Sequence, residues 1–140
     1  CVTDGAGVAI LRAAGLKLAL ISGRFSEATA ERAAELKIED LYNGTINKIP
    51  PYNELKVKYN LSDDEIAYVG DDMIDIPVMN LAGVPIATEN ASKACKDAAI
   101  YVTKKSGGNG AFREAIEWIL SKQGALENTL EELRIKVQNQ

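Results

Sequence analysis

Short apolar runs recur along the chain, each joined to a segment patterned for helix, and few architectures accommodate that alternation. The runs lie at residues 16–21, 40–44, 66–69 and 84–87, with a shorter fifth at 100–102. Ahead of the first, Val8, Ile10, Leu11 and Ala14 share a helical face, and Gly15 suits the end of that helix. Further helices are expected at 26–36, about 52–59, 74–81, 91–98 and 111–123. Pro50-Pro51 should block helix, so the third is expected to begin at Tyr52. Ser62-Asp63-Asp64-Glu65 has the spacing of a capping box. Strand–helix units of this length predict an α/β fold, a doubly wound parallel sheet with helices on both faces. No linker splits residues 1–124, which form the expected core domain. A helical tail covers 125–140. There Leu126, Leu130, Leu133 and Val137 are spaced 4, 3, 4, as in a coiled-coil seam. That seam packs either on its own domain or on another subunit.

Composition narrows the chemistry. At 140 residues and 46% apolar, the chain can bury one domain's core. It has no histidine, so Ser-His-Asp triads, Cys-His pairs and His-ligated zinc sites are excluded. Cys1 and Cys95 are too few for a thiolate cage, and Cys95 is expected to be packing. Two cysteines point to a reducing, cytoplasmic setting. The net charge is −4 without a basic stripe, which argues against nucleic acid. No run approaches a membrane span. Hydrolytic chemistry must rest on carboxylates, Lys, Arg, hydroxyls and a hard metal.

Gly70-Asp71-Asp72-Met73-Ile74-Asp75 is the most informative segment. It follows the 66–69 run directly, where open α/β sheets bind ligands. At an effective dielectric of about 20, two carboxylates ~5 Å apart repel by on the order of 3 kcal/mol, which a bound cation removes. All-oxygen donors favour Mg²⁺. Alternatively, the segment is a solvated turn whose acids favour a helix start. A similar acidic string marks large all-helical terpene synthases, which the preceding strand argues against. Ser22-Gly23-Arg24 also follows a strand; it can hold a phosphate, or be a plain turn with Ser22 as N-cap. Lys48 gains interest because it too lies shortly after a strand of the same sheet. Gly107-Gly108-Asn109-Gly110 is either an anion cradle or a flexible connection, with Arg113 the charged residue beyond it.

In order, 20–24, Lys48 and 69–75 resemble motifs II, III and IV of the haloacid dehalogenase superfamily. The likeness is strongest to its capless phosphatases of eight- and nine-carbon sugar acids. Asp4-Gly5-Ala6-Gly7-Val8, Ala14-Gly15-Leu16-Lys17 and Gly107-Gly108-Asn109-Gly110-Ala111-Phe112-Arg113-Glu114 support it, over residues 3–124. The resemblance implies a capless, HAD-like Rossmannoid core and Mg²⁺-dependent hydrolysis of a sugar-acid phosphate, by way of an aspartyl-phosphate. The expected substrate is an octulosonate 8-phosphate, in lipopolysaccharide biosynthesis, or alternatively a nononate 9-phosphate. It gives Ser22, Gly23 and Arg24 to phosphate and substrate, Lys48 to phosphate and nucleophile orientation, and Asp71 to the metal. Asp72 and Asp75 become auxiliary carboxylates. Arg24 fits the octulosonate enzymes; a nononate enzyme has an acidic residue there. A cytoplasmic homotetramer acting on a small sugar phosphate is implied, with no nucleic-acid or membrane partner.

The family's first motif, Asp-x-Asp-Gly on the central strand, is missing. Thr3-Asp4-Gly5 fits the segment after that family's flap, so the first strand and its nucleophile are expected upstream of Cys1. The chain starts with Cys rather than Met. Two expectations follow: little or no turnover by these 140 residues, and either a marginal fold, an exposed sheet groove or rescue by assembly, because a central strand buries roughly four or five apolar side chains at ~1.5–3 kcal/mol each. A catalytically silent oligomerisation domain is the alternative from another class. A phosphoacceptor receiver domain fits less well, because it expects its acidic pair near the first strand.

Overall fold

The computed structural model describes residues 2–139; Cys1 lies outside them, as do the side chains of Val2, Thr3 and Asp4. Helices α1 (Val2–Ala13), α2 (Glu27–Glu35), α3 (Ile49–Tyr59), α4 (Ile76–Met79), α5 (Lys93–Asp97), α6 (Ala111–Lys122) and α7 (Leu126–Gln138) alternate with five strands. The strands are β1 (Ala19–Ser22), β2 (Asp40–Asn43), β3 (Ala67–Gly70), β4 (Val84–Ala87) and β5 (Tyr101–Val102). All observed pairings are parallel. The sheet, however, is divided: β1 pairs with β2, while β3, β4 and β5 form a second group in that order. The position between β1 and β3 carries no strand among the described residues, as the missing first strand implies.

Local chemistry sets the element ends. Gly15, at φ 77°, closes α1 in the left-handed region that an L side chain disfavours. Ser26 caps α2, its hydroxyl accepting from the Thr29 amide at 3.3 Å. The helix expected from Tyr52 instead starts at Ile49, with Pro50 and Pro51 in its first turn. First-turn N–H groups have no helical acceptor, so proline loses nothing there and its fixed φ favours the helix. Ser62 opens a 3₁₀ turn, Asp63–Glu65, and its amide donates to Glu65 at 3.1 Å. Met73–Asp75 form a second such turn, so the helix expected over 74–81 shortens to α4.

Two helical layers cover the strands. On one side Ile10 and Leu11 of α1 pack with Ile116 and Leu120 of α6. Leu126 and Leu133 of α7 lean on that cluster, so half of the tail seam packs on its own domain. On the other side Met79, Ala87, Ala91 and Cys95 pack together, next to Tyr52, Val78 and Ala82, and Tyr68 touches both groups. Along β4, Ala87 faces α4 and α5; by the period-2 alternation Ile86, fully buried, faces away.

Candidate active site

The carboxyl ends of β1, β2 and β3 share one rim, and the loops leaving them meet there. Gly23 follows β1 directly. A Cβ at Gly23 would sit 2.4 Å from Ile74 Cδ1 and 4.0 Å from Lys48 Cε. Glycine is therefore what lets the three loops approach one another.

Lys48 ends the β2 loop as the N-cap residue of α3. Its Nζ lies 2.6 Å from Oδ1 of Asp75, and both side chains are buried, Lys48 at 7% and Asp75 at 3% exposure. The Tyr68 hydroxyl donates to the same oxygen at 2.6 Å. The backbone amides of Asp71 and Asp72 donate to Asp75 Oδ2 at 3.0 and 3.1 Å. Four donors on one carboxylate explain how a buried charge persists there. Burial alone pushes Asp75 up, but the Lys48 and Tyr68 hydrogen bonds and the Asp71 amide more than offset it. Its carboxyl is held below the ordinary range. Burial, and then the same carboxylate, push the Tyr68 hydroxyl far up.

Asp71 leaves the end of β3 and is exposed on one side. Partial burial, and then the neighbouring Asp75, push its carboxyl up against a smaller pull from Lys48. Asp72 accepts from the Met73 amide at 2.6 Å and caps the 3₁₀ turn. One ammonium thus stands against three carboxylates, and the rim carries excess negative charge that a hard cation relieves. Among the described residues no three carboxylates are gathered as a metal cluster. The oxygen donors at this rim are of the kind that suits a hard cation such as Mg²⁺, and Asp71 is an exposed carboxylate there.

Of the residues singled out in the sequence, Gly23, Lys48, Asp71, Asp72 and Asp75 come together, and Ser22 ends β1 next to Gly23. The Ser22 hydroxyl donates to the Arg24 carbonyl at 2.7 Å, and Arg24 itself is exposed. The N-cap of the following helix is Ser26, so Ser22 is free of that duty. Arg113 lies elsewhere: its Nε pairs with Glu117 at 2.7 Å along α6. The 106–110 loop is tethered, with the Gly107 amide donating to Asn90 Oδ1 at 2.8 Å. Glu114 steadies its approach by accepting from the Lys104 and Lys105 amides and the Tyr101 hydroxyl. Cys95 is buried in packing beside Met79.

The sequence does not single out Tyr68, and marks Gly70 only as the residue that opens the acidic segment. They share one face of β3, and a Cβ at Gly70 would lie 2.7 Å from Asp75 Cβ. Asp75 therefore packs on the face that Gly70 leaves bare. The period-2 pattern of β3 carries this signal, because residues 68 and 70 must point alike. A cavity of about 150 Å³ lined by Leu11, Lys17, Asp40 and Tyr59 lies at the opposite, amino ends of β1 and β2.

Parallel strands covered by helices, with a buried Lys–Asp pair and an acidic loop at their carboxyl ends, make a Rossmann-like α/β core. The profile of haloacid dehalogenase-like hydrolases matches residues 20–114, and the chain belongs to that family. Among curated relatives, 3-deoxy-D-manno-octulosonate 8-phosphate phosphatase KdsC of Escherichia coli K12 is 37% identical over 126 residues. That match covers 90% of this chain and 67% of the relative, so the chain spans about two thirds of that protein's length. Among solved structures, the Moraxella catarrhalis 3-deoxy-D-manno-octulosonate 8-phosphate phosphatase, in complex with magnesium, phosphate and KDO, superposes with a TM-score of 0.88 at 34% identity. It covers 94% of this chain and 74% of that one. The cobalt-bound Haemophilus influenzae enzyme gives a TM-score of 0.82 at 34% identity, over 88% of this chain and 70% of that one. Among the described residues no helix is long and apolar enough to cross a membrane.

Proposed function

We propose that this chain supplies most of the active site of a Mg²⁺-dependent phosphatase acting on 3-deoxy-D-manno-octulosonate 8-phosphate, in lipopolysaccharide biosynthesis. The carrying observation is the buried Lys48–Asp75 pair at the rim shared by Ser22 and Asp71. A buried charge pair costs more than an apolar pair of similar volume, so its place beside an acidic loop fits a site better than a core.

In this reading Asp71 holds Mg²⁺, which when bound neutralises charge on the phosphoryl oxygens. Lys48, fixed by Asp75, holds its ammonium toward the phosphate and offsets the same charge. Ser22, turned from the Arg24 carbonyl, donates its hydroxyl to a phosphate oxygen, and the Gly23 amide adds a second donor. Arg24, exposed at the mouth, reaches the sugar carboxylate or phosphate. Asp72 and Asp75 orient the loop and the lysine. The resemblance also requires an aspartate nucleophile, for which these 140 residues hold no counterpart at the family's position. The nononate 9-phosphate reading is weaker, because Arg24 stands where the resemblance gives such enzymes an acid. A silent oligomerisation domain is weaker too, since it would have no need of the Lys48–Asp75 pair. Leu130, Ile135 and Val137 of α7 stay exposed and suit a homotetramer. The reduced thiol suits the cytoplasm.

Calorimetric titration with 3-deoxy-D-manno-octulosonate 8-phosphate tests the reading. Mg²⁺-dependent binding is expected, at least about tenfold tighter than for glucose 6-phosphate, or 1.4 kcal/mol. Equal affinity for the two sugars contradicts the substrate; no binding contradicts the site.

A further inference from the structure

The loop between β1 and α2 carries Arg24 and is held at both ends by the segment that closes β2. Upstream, the Ser22 carbonyl accepts from the Gly44 amide at 2.9 Å and the Thr45 amide at 2.7 Å. Downstream, Asn43 grips the backbone of Ser26 with both atoms of its side-chain amide. Its Oδ1 accepts from the Ser26 N–H at 3.2 Å, and its Nδ2 donates to the Ser26 carbonyl at 2.7 Å. An amide, with one acceptor and one donor group side by side, suits that pair of backbone groups. Gly44, at φ 96°, lets the loop come this close: a Cβ there would lie 3.1 Å from Phe25 Cβ and 3.4 Å from the Phe25 nitrogen.

The two grips differ in kind. The upstream one is backbone to backbone, and Gly23 lies against Ile74. The downstream one depends on a single side chain. Inside the loop the Ser22 hydroxyl donates to the Arg24 carbonyl at 2.7 Å. In the function proposed above that hydroxyl turns to a phosphate oxygen, which releases the Arg24 carbonyl. The Asn43–Ser26 clamp is then what fixes the Arg24 end of the loop. The Ser26 hydroxyl is committed to α2, where it accepts from the Thr29 amide. Arg24 is exposed, and Phe25 is 65% exposed. Such an arginine keeps many rotamers, so a fixed backbone beneath it lowers the ordering cost of gripping a ligand.

We propose that Asn43 is a positioning residue for substrate selection: by clamping Ser26 it holds Arg24 where the guanidinium meets the carboxylate of the sugar acid. Asn43 itself touches no substrate. The inference rests on the octulosonate reading of the site, and it divides the ligand into two halves. The phosphoryl half is met by Ser22, Gly23, Lys48 and the Mg²⁺ that Asp71 would hold, none of which depends on Asn43. The sugar-acid half is met by Arg24, which does. Asn43 therefore contributes to discrimination between an acidic and a neutral sugar phosphate, and little to the binding of phosphate as such.

The test is calorimetric titration of the 140-residue protein and its variants, with Mg²⁺ present. The ligands are 3-deoxy-D-manno-octulosonate 8-phosphate, glucose 6-phosphate and inorganic phosphate. In Asn43→Ala the preference for the octulosonate over glucose 6-phosphate should fall by about tenfold, the scale of a lost charge-assisted contact. Affinity for inorganic phosphate should stay within about twofold. Arg24→Ala should lose the same preference, and adding Asn43→Ala to it should lose no more, because the two act through one contact. Without ligand, the backbone heteronuclear NOE of Arg24 and Phe25 should drop in Asn43→Ala while that of Gly23 holds. Asn43→Thr suits a strand end but cannot bond both Ser26 groups, and it replaces the alanine variant if that one fails to fold. An unchanged preference would overturn the proposal. So would equal losses for all three ligands, additive losses in the double variant, or an unchanged NOE at Arg24. If the unsubstituted protein shows no preference, the octulosonate reading fails and takes the inference with it; a preference that survives Asn43→Ala removes the inference alone.

Discussion

Lys48 and Asp75 carry opposite charges out of water, and each depends on the other. Removing Lys48 leaves a buried carboxylate with the Tyr68 hydroxyl and two amides. Lys48→Ala should therefore cost about 3–5 kcal/mol in urea unfolding. A loss under 1 kcal/mol would mean that the pair is solvated in solution. The pair also sets a pH dependence. Asp75 is held below its ordinary value of 3.8. Its stabilisation is complete above that value and disappears as pH falls through the lower, folded one. Asp75→Asn should flatten the stability profile below about pH 4, checked by urea midpoints across that range. Cys95 offers a third test at this scale. Burial, and then the Asp75 and Asp71 charges, push its thiol up to about 11. In a Cys1→Ser variant, Ellman's reagent at pH 8 should leave Cys95 unreacted in the folded protein and modify it fully in urea; rapid labelling of the native variant would contradict its packing.

At the scale of elements, β3 and the turn after it form one unit. A methyl at Gly70 would meet Asp75 Cβ at 2.7 Å and Met79 Sδ at 2.8 Å. The first of these is rooted on the backbone and cannot swing aside. Gly70→Ala should cost ~1–3 kcal/mol by overpacking and weaken phosphate binding with it; unchanged stability and binding would show that the turn is loose. On α7, Leu133 rests on the Ile10–Leu120 cluster while Val137 is 61% exposed. Leu133→Ala should lower the urea midpoint distinctly more than Val137→Ala at dilute protein concentration. Much of this level was legible beforehand. β4 lies at the expected 84–87, and α6 starts at the expected Ala111, because dense apolar runs and a glycine boundary leave little choice. The start of α3 was not, because Pro50-Pro51 reads as a breaker unless the helix is known to begin there. The short α4 was hidden as well, since a 3₁₀ turn and an α-helix share one apolar spacing over a few residues.

For the whole molecule, the order of motifs along the chain revealed the doubly wound fold and the family. It could not reveal that Lys48 is buried, because a lone lysine in a polar loop looks solvated until its partner 27 residues away is placed. Tyr68 was invisible for the same reason: its hydroxyl matters through Asp75, across a turn. The missing motif made an exposed sheet groove one of the expected outcomes, and the two strand groups with a half-buried β1 accord with it. Without an aspartate nucleophile at the family's position, phosphate release from 3-deoxy-D-manno-octulosonate 8-phosphate by these 140 residues should stay at background. Mg²⁺-dependent turnover by this polypeptide would contradict that. The central claim, that three loops grip a cation and a phosphoryl group together, is tested most directly by amide NMR shifts during titration with inorganic phosphate, with and without Mg²⁺. The account predicts shifts at Gly23, Lys48 and Asp71 that require Mg²⁺ and vanish in Asp71→Asn. Shifts elsewhere, or shifts indifferent to Mg²⁺, would contradict it.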